Sequence, residues 1–75
     1  MADTVKIMLV DDHEVVRMGI RTLLERRPGF TIVGEAGTVA EAVSVAQECE
    51  PDVIVMDIRL PDGNGVEATR EIRGE

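Results

Sequence analysis

The chain has 75 residues, enough for one small domain whose core is necessarily thin. Fifteen acidic against eight basic residues leave a net charge of −7, which repels a phosphate backbone. No Lys/Arg stripe is interleaved with aromatics, so this segment is not read as a nucleic-acid binder itself. No apolar run approaches the ~20 residues of a membrane helix, and no charged-then-apolar leader opens the chain. The one cysteine, Cys49, cannot staple the chain internally, which fits a reducing, cytoplasmic setting. It reads as a packed helix residue rather than a reactive thiol.

"VKIMLV" (Val5–Val10) is a continuous apolar run of strand length, the pattern of a strand covered on both faces. After "DDHE" the period changes. Val16, Ile20, Leu23 and Leu24 then share one helical face, with Asp12 or a neighbour as the cap and Glu14 in the first turn. Pro28–Gly29 stops that helix, and the arginines from Arg17 to Arg73, with Arg26–Arg27 adjacent, read as ordinary helix-surface charges. "FTIVGEA" (Phe30–Ala36) is a weaker, mixed strand, suited to a sheet edge. "TVAE" (Thr38–Glu41) is a capping-box pattern opening a second helix, with Val39, Ala42, Val43 and Ala46 as its apolar side and Pro51 as its end. "DVIVMD" (Asp52–Asp57) is a third strand, again solidly apolar. A loop follows, and "VEATREIR" (Val66–Arg73) begins a third helix with a modest stripe of Val66, Ala68, Thr69 and Ile72. The order β-α-β-α-β-α implies an α/β fold with a parallel sheet joined by right-handed crossovers and covered on both faces.

In such a sheet the C-terminal strand ends share one edge, where ligands bind. The first strand runs into Asp11 and Asp12, and the third into Asp57. If these strands are neighbours, three carboxylates converge. Close carboxylates raise one another's pKa, and a hard divalent cation relieves the repulsion. The pattern therefore predicts an Mg²⁺-dependent phosphoryl site with an aspartate nucleophile. Taken singly, Asp11 and Asp12 could cap a helix and Asp57 could close a loop. Their coincidence at matching strand ends favours the site. His13 beside them reads as an exposed first-turn residue.

The stretches "IMLVDDHEVVRMGIRTLL", "IVGEAGTVAEAV" and "PDVIVMDIRLPDGNGVE" together resemble the receiver domain of two-component response regulators. The similarity is to the NarL/FixJ (LuxR-type) branch, and within it to actinobacterial dormancy-type regulators. The resemblance implies a flavodoxin-like, doubly wound sheet with strand order 2-1-3. It makes Asp57 the phosphoacceptor, with Asp12 binding Mg²⁺ directly, Asp11 acting through water and the Arg59 backbone carbonyl as a further ligand. Leu60-Pro61 matches the family's loop and Gly65 its turn glycine. Asn64 stands where an aspartate is common and reads as a neutral turn substitution. The Arg59 side chain is expected to reach back toward the acids.

The implied partner is a sensor histidine kinase, and the implied role is phosphoacceptance rather than enzymatic turnover. Residues 1–75 correspond to a partial receiver domain. They carry three of the family's five strands, without the fourth-strand Ser/Thr, the fifth-strand Lys or the output domain through which such proteins contact DNA. The third strand's uncovered edge then predicts a homodimer. Two other functions compete: a non-catalytic dimerising fragment of a transcriptional regulator, and an aspartate-nucleophile phosphatase. The second is disfavoured because Arg59 stands where such enzymes place a second acid.

Overall fold

The computed structural model describes residues 4–57 and 59–74, with Arg59 described through its backbone alone. Three strands, β1 (Val5–Val10), β2 (Phe30–Ala36) and β3 (Val53–Met56), form a parallel sheet in the order β2-β1-β3. The mixed strand thus lies at an edge and the most apolar run at the centre. Three helices connect them: α1 (Glu14–Glu25), α2 (Val39–Cys49) and α3 (Gly65–Arg73).

Alternation along β1 divides its side chains between two environments. Met8 and Val10 join Ala36, Val39, Ala42, Ala46 and Ala68 in the main core, under α2 and α3. The alanines let both helices approach the sheet closely. Ile7 and Leu9 are also buried but belong to the opposite face, beneath α1. Helix α1 buries no residue fully: Ile20 and Leu24 are half-buried, while Val16 and Leu23 of the expected stripe are exposed. Val53 and Val55 remain 46% and 40% exposed, although Ile54 and Met56 on the other face pack against the core. Val66, expected in the apolar stripe of α3, is exposed as well.

The local chemistry accounts for most boundaries. Thr38 caps α2, its Oγ1 accepting from the Glu41 N–H at 3.1 Å, and Glu41 reaches back to the Gly37 N–H at 3.3 Å. Gly29 adopts φ +89°, which favours glycine, and turns the chain from α1 into β2. The expected side-chain cap on α1 is absent: His13 holds the N-cap position without a capping bond. The pairing of β1 with β2 shifts register between Ile7 and Met8, so that Ile7 faces Ile32 and Met8 faces Gly34. Cys49 lies over this irregularity, half-buried, and its Sγ donates to the Val33 carbonyl at 3.0 Å. A Cβ on Gly34 would meet Val45 Cγ1 at 2.5 Å, so this glycine is what allows α2 to lie so close to β2.

Candidate functional site

Strand register places the acids. Val10 pairs with Met56, so the next residues, Asp11 and Asp57, leave neighbouring strands at the same level. Their backbones continue the ladder: the Asp57 N–H donates to the Val10 carbonyl at 2.8 Å and the Asp11 N–H to the Ala36 carbonyl at 3.0 Å. Asp11, Asp12, His13 and Asp57 each offer one ligand atom, and these atoms all lie within 4.8 Å of one another. The convergence expected from sequence is present, and His13 is part of it.

His13 is exposed, as expected, yet it engages both acids of the first loop. Its Nδ1 lies 3.0 Å from Asp11 Oδ1 and 2.9 Å from Asp12 Oδ1. Its backbone N–H also donates to Asp11 Oδ1, at 2.8 Å. That N–H bond is the main reason the Asp11 carboxyl lies below the usual aspartate range, against the opposing effect of burial. The mutual elevation expected of crowded carboxylates is therefore not what Asp11 experiences. The His13 imidazole is shifted the other way: its hydrogen bond to Asp11, then the charges of Asp12 and Asp11, raise its pKa.

Arg17 corrects the reading of the α1 arginines as plain surface charges. Its Nη1 donates to the Asp11 carbonyl at 2.6 Å and its Nε to Glu35 Oε1 at 3.0 Å. Arg21 Nη1 holds the second Glu35 oxygen at 2.9 Å. One guanidinium thus joins α1, the end of β2 and the backbone of an acid in the site. It also lines an open cleft of about 290 Å³ with Asp11, Ile20, Val55 and Asp57.

Beyond Asp57 the chain forms a small antiparallel hairpin, β4 (Arg59–Leu60) with β5 (Gly63–Asn64), in which Arg59 pairs with Asn64. It stands apart from the parallel sheet. Leu60 is buried in the main core. Asp62, at the turn, accepts from the Val39 N–H at 2.7 Å and the Ala40 N–H at 3.1 Å, and these bonds hold its carboxyl below the usual range. Asn64 has a further role at this turn: its side chain caps α3, accepting from the Glu67 N–H at 2.9 Å. Gly65 is the first helical residue of α3 rather than a turn position. The expected reach of the Arg59 side chain toward the acids lies outside the described residues, as does Ile58.

A parallel sheet ending in clustered carboxylates, with an aspartate closing the strand beside the central one, defines a class. The sequence matches the response regulator receiver domain model over residues 7–75, and the chain belongs to that family. It is 56% identical over 68 residues to the DNA-binding transcriptional activator DevR/DosR of Mycobacterium tuberculosis, covering 91% of this chain and 31% of that protein. Among solved structures, a LuxR-family two-component response regulator from Aurantimonas sp. SI85-9A1 superposes with a TM-score of 0.91 at 53% identity, covering 96% of this chain and 51% of that one. The response regulator domain of Thermotoga maritima CheB gives 0.91 at 38% identity, covering 95% and 53%. The chain thus spans about a third of that curated relative and about half of each solved chain. Among the described residues no helix is long and apolar enough to cross a membrane.

Proposed function

We propose that Asp57 is the phosphoacceptor of a two-component signalling pathway, phosphorylated by a sensor histidine kinase. The observation that carries this reading is the convergence of Asp11, Asp12 and Asp57 donor atoms within 4.8 Å at the C-terminal edge of the sheet. The donor set also fits a hard cation, because carboxylate oxygens suit Mg²⁺ and disfavour soft metals. Asp12, Asp57 and the Arg59 carbonyl would hold it, with Asp11 acting through water. When bound, Mg²⁺ neutralises charge on the transferring phosphoryl oxygens.

The chain's own groups perform the rest. An Asp57 carboxylate oxygen attacks phosphorus, the P–N bond of the kinase phosphohistidine breaks, and the departing imidazole nitrogen takes up a proton. Arg17 and the His13 N–H hold Asp11 while this happens. The product is an aspartyl phosphate, whose charge biases an equilibrium between conformations. The protein is a substrate of the transfer that assists its own modification, and DNA contact belongs to an output domain outside these residues. Acetyl phosphate with Mg²⁺ should add one phosphoryl mass to the protein. Asp57→Asn or a chelator should abolish the gain; label that persists in Asp57→Asn rules the assignment out.

A second reading, association of two copies, is favoured by the edge of β3. Among the described residues β3 pairs with β1 alone, and Val53 and Val55 beside that edge are about half exposed. Open apolar edges pair with other chains, and two β3 edges related by a two-fold axis would meet antiparallel. Light scattering should then report a dimer at micromolar concentration that Val55→Lys dissociates. A monomer with full helical circular dichroism excludes it.

A further inference from the structure

The β4–β5 hairpin has two residues in each strand and stands apart from the sheet, and a ribbon so short has no stability of its own in water. Three features hold it. Leu60 is sunk in the core. Gly63 is pressed so close to α2 that a Cβ there would meet Val39 Cγ2 at 3.0 Å. Asp62 bonds the first two amides of α2, those of Val39 and Ala40. The division of labour at this helix start is informative. Thr38, the residue adjacent in sequence, serves the third amide, that of Glu41. The first two are served by a carboxylate more than twenty positions later in the chain. Val39 is buried, so its N–H needs a protein partner, whereas Ala40 is exposed and water could satisfy its N–H. What the long-range bonds achieve is a fixed distance between the hairpin tip and α2.

We propose that Asp62 is a positioning residue: by tying the hairpin tip to the first turn of α2, it sets where the Arg59 carbonyl stands relative to Asp57, and so couples the acidic pocket to α2. This rests on the reading of Asp57 and its neighbours as an Mg²⁺ site. Arg59 and Asp62 are separated by two residues of one tight hairpin, and Arg59 is held to Asn64 across it. Displacement at one end is therefore felt at the other. Coupling of this kind is reciprocal: metal drawing on the Arg59 carbonyl firms the hairpin and, through Asp62, the start of α2.

The test compares two losses at the same helix end. Asp62→Ala removes the tie, and Thr38→Ala removes a local cap that does not touch the hairpin. In Mg²⁺ titrations of the purified protein, Asp62→Ala should weaken affinity roughly tenfold, the lower end of the range for residues that support metal ligands. Asp62→Asn, which keeps an acceptor, should lose less, and Thr38→Ala should leave affinity unchanged. Amide hydrogen exchange gives a second readout. Without metal, Asp62→Ala should speed exchange at Gly63 and Asn64 while Thr38→Ala does not. In the unmodified protein, saturating Mg²⁺ should slow exchange at Val39 and Ala40. Equal effects of Asp62→Ala and Thr38→Ala on affinity and on hairpin exchange overturn the proposal. If hairpin exchange responds to Asp62→Ala but the unmodified protein binds no Mg²⁺, the metal-site reading fails, and the coupling to the pocket fails with it.

Discussion

Within residues 4–74 the two faces of the sheet are covered to different extents. Under α2 and α3, Met8 and Val10 are sealed by small side chains, Ala42, Ala46 and Ala68, with Leu60 of the hairpin closing the edge. Under α1 the cover is partial: the helix buries nothing completely, and Val53 and Val55 keep nearly half their surface. The site draws on both. The closed face anchors the chain that follows Asp57, while the open face contributes the guanidinium that grips Asp11.

The largest expected effect contrasts the two faces directly. Met8 is fully buried, so Met8→Ala should cost about 2–5 kcal/mol of stability in urea unfolding. Val55→Ala, on the open face, should cost about 1 kcal/mol or less. Similar losses would mean that the α1 side is as tightly packed as the other. Next in size is Arg17→Ala, at roughly 2 kcal/mol, because its charged bonds to Glu35 and the Asp11 carbonyl are mostly shielded from solvent. Arg17→Lys should not restore stability, since one ammonium cannot reproduce the guanidinium fork. Full rescue by lysine would reduce Arg17 to a point charge.

The smallest effects are in pH, and their signs separate the faces. Asp62, tied to α2, has a carboxyl lowered from 3.8. Its contribution is complete above that value and is lost as pH falls through the lowered pKa. His13, at the start of α1, is raised from 6.5. Its clasp on the acids is complete below that value and is lost as pH rises through the raised pKa. Metal-free stability should thus show a shallow plateau between these limits. Asp62→Asn should reduce the acid-side slope and leave the share that comes from Asp11, whose carboxyl is also lowered, while His13→Gln should flatten the alkaline side. An acid limb unchanged in Asp62→Asn, or an alkaline limb unchanged in His13→Gln, would contradict these assignments.

Much of this arrangement was legible in the sequence because it depends on local pattern. The apolar runs and the change of period marked strands and helices, their alternation implied a parallel sheet, and the strand order came from the family resemblance. Asp11 and Asp57 were visible because each stands directly after a strand, and Asp12 because it follows Asp11. Arg17 was not, since its partners are a carbonyl and a β2 glutamate brought near only by folding. Asp62 was hidden for the same reason: nothing in "LPDGNG" points to an amide of α2. Asn64 could have been found, because Asn followed three residues later by Glu67 is a helix-start signature. The exposure of Val16 and Leu23 was beyond periodicity, which shows that a face is apolar and not whether anything covers it.

The register shift between β1 and β2 carries a consequence for parity. Side chains of a strand alternate, so one extra residue exchanges the destinations of everything after it. With Met8 opposite Gly34, Glu35 falls beside Leu9 and Ala36 beside Val10. Without the extra residue, Glu35 would fall beside Val10 and point its carboxylate into the sealed core, while Arg17 and Arg21 would lose their common anchor. The irregularity at Val33 acts as a sorting step: it sends the charge to the helix that needs it and the methyl group to the core.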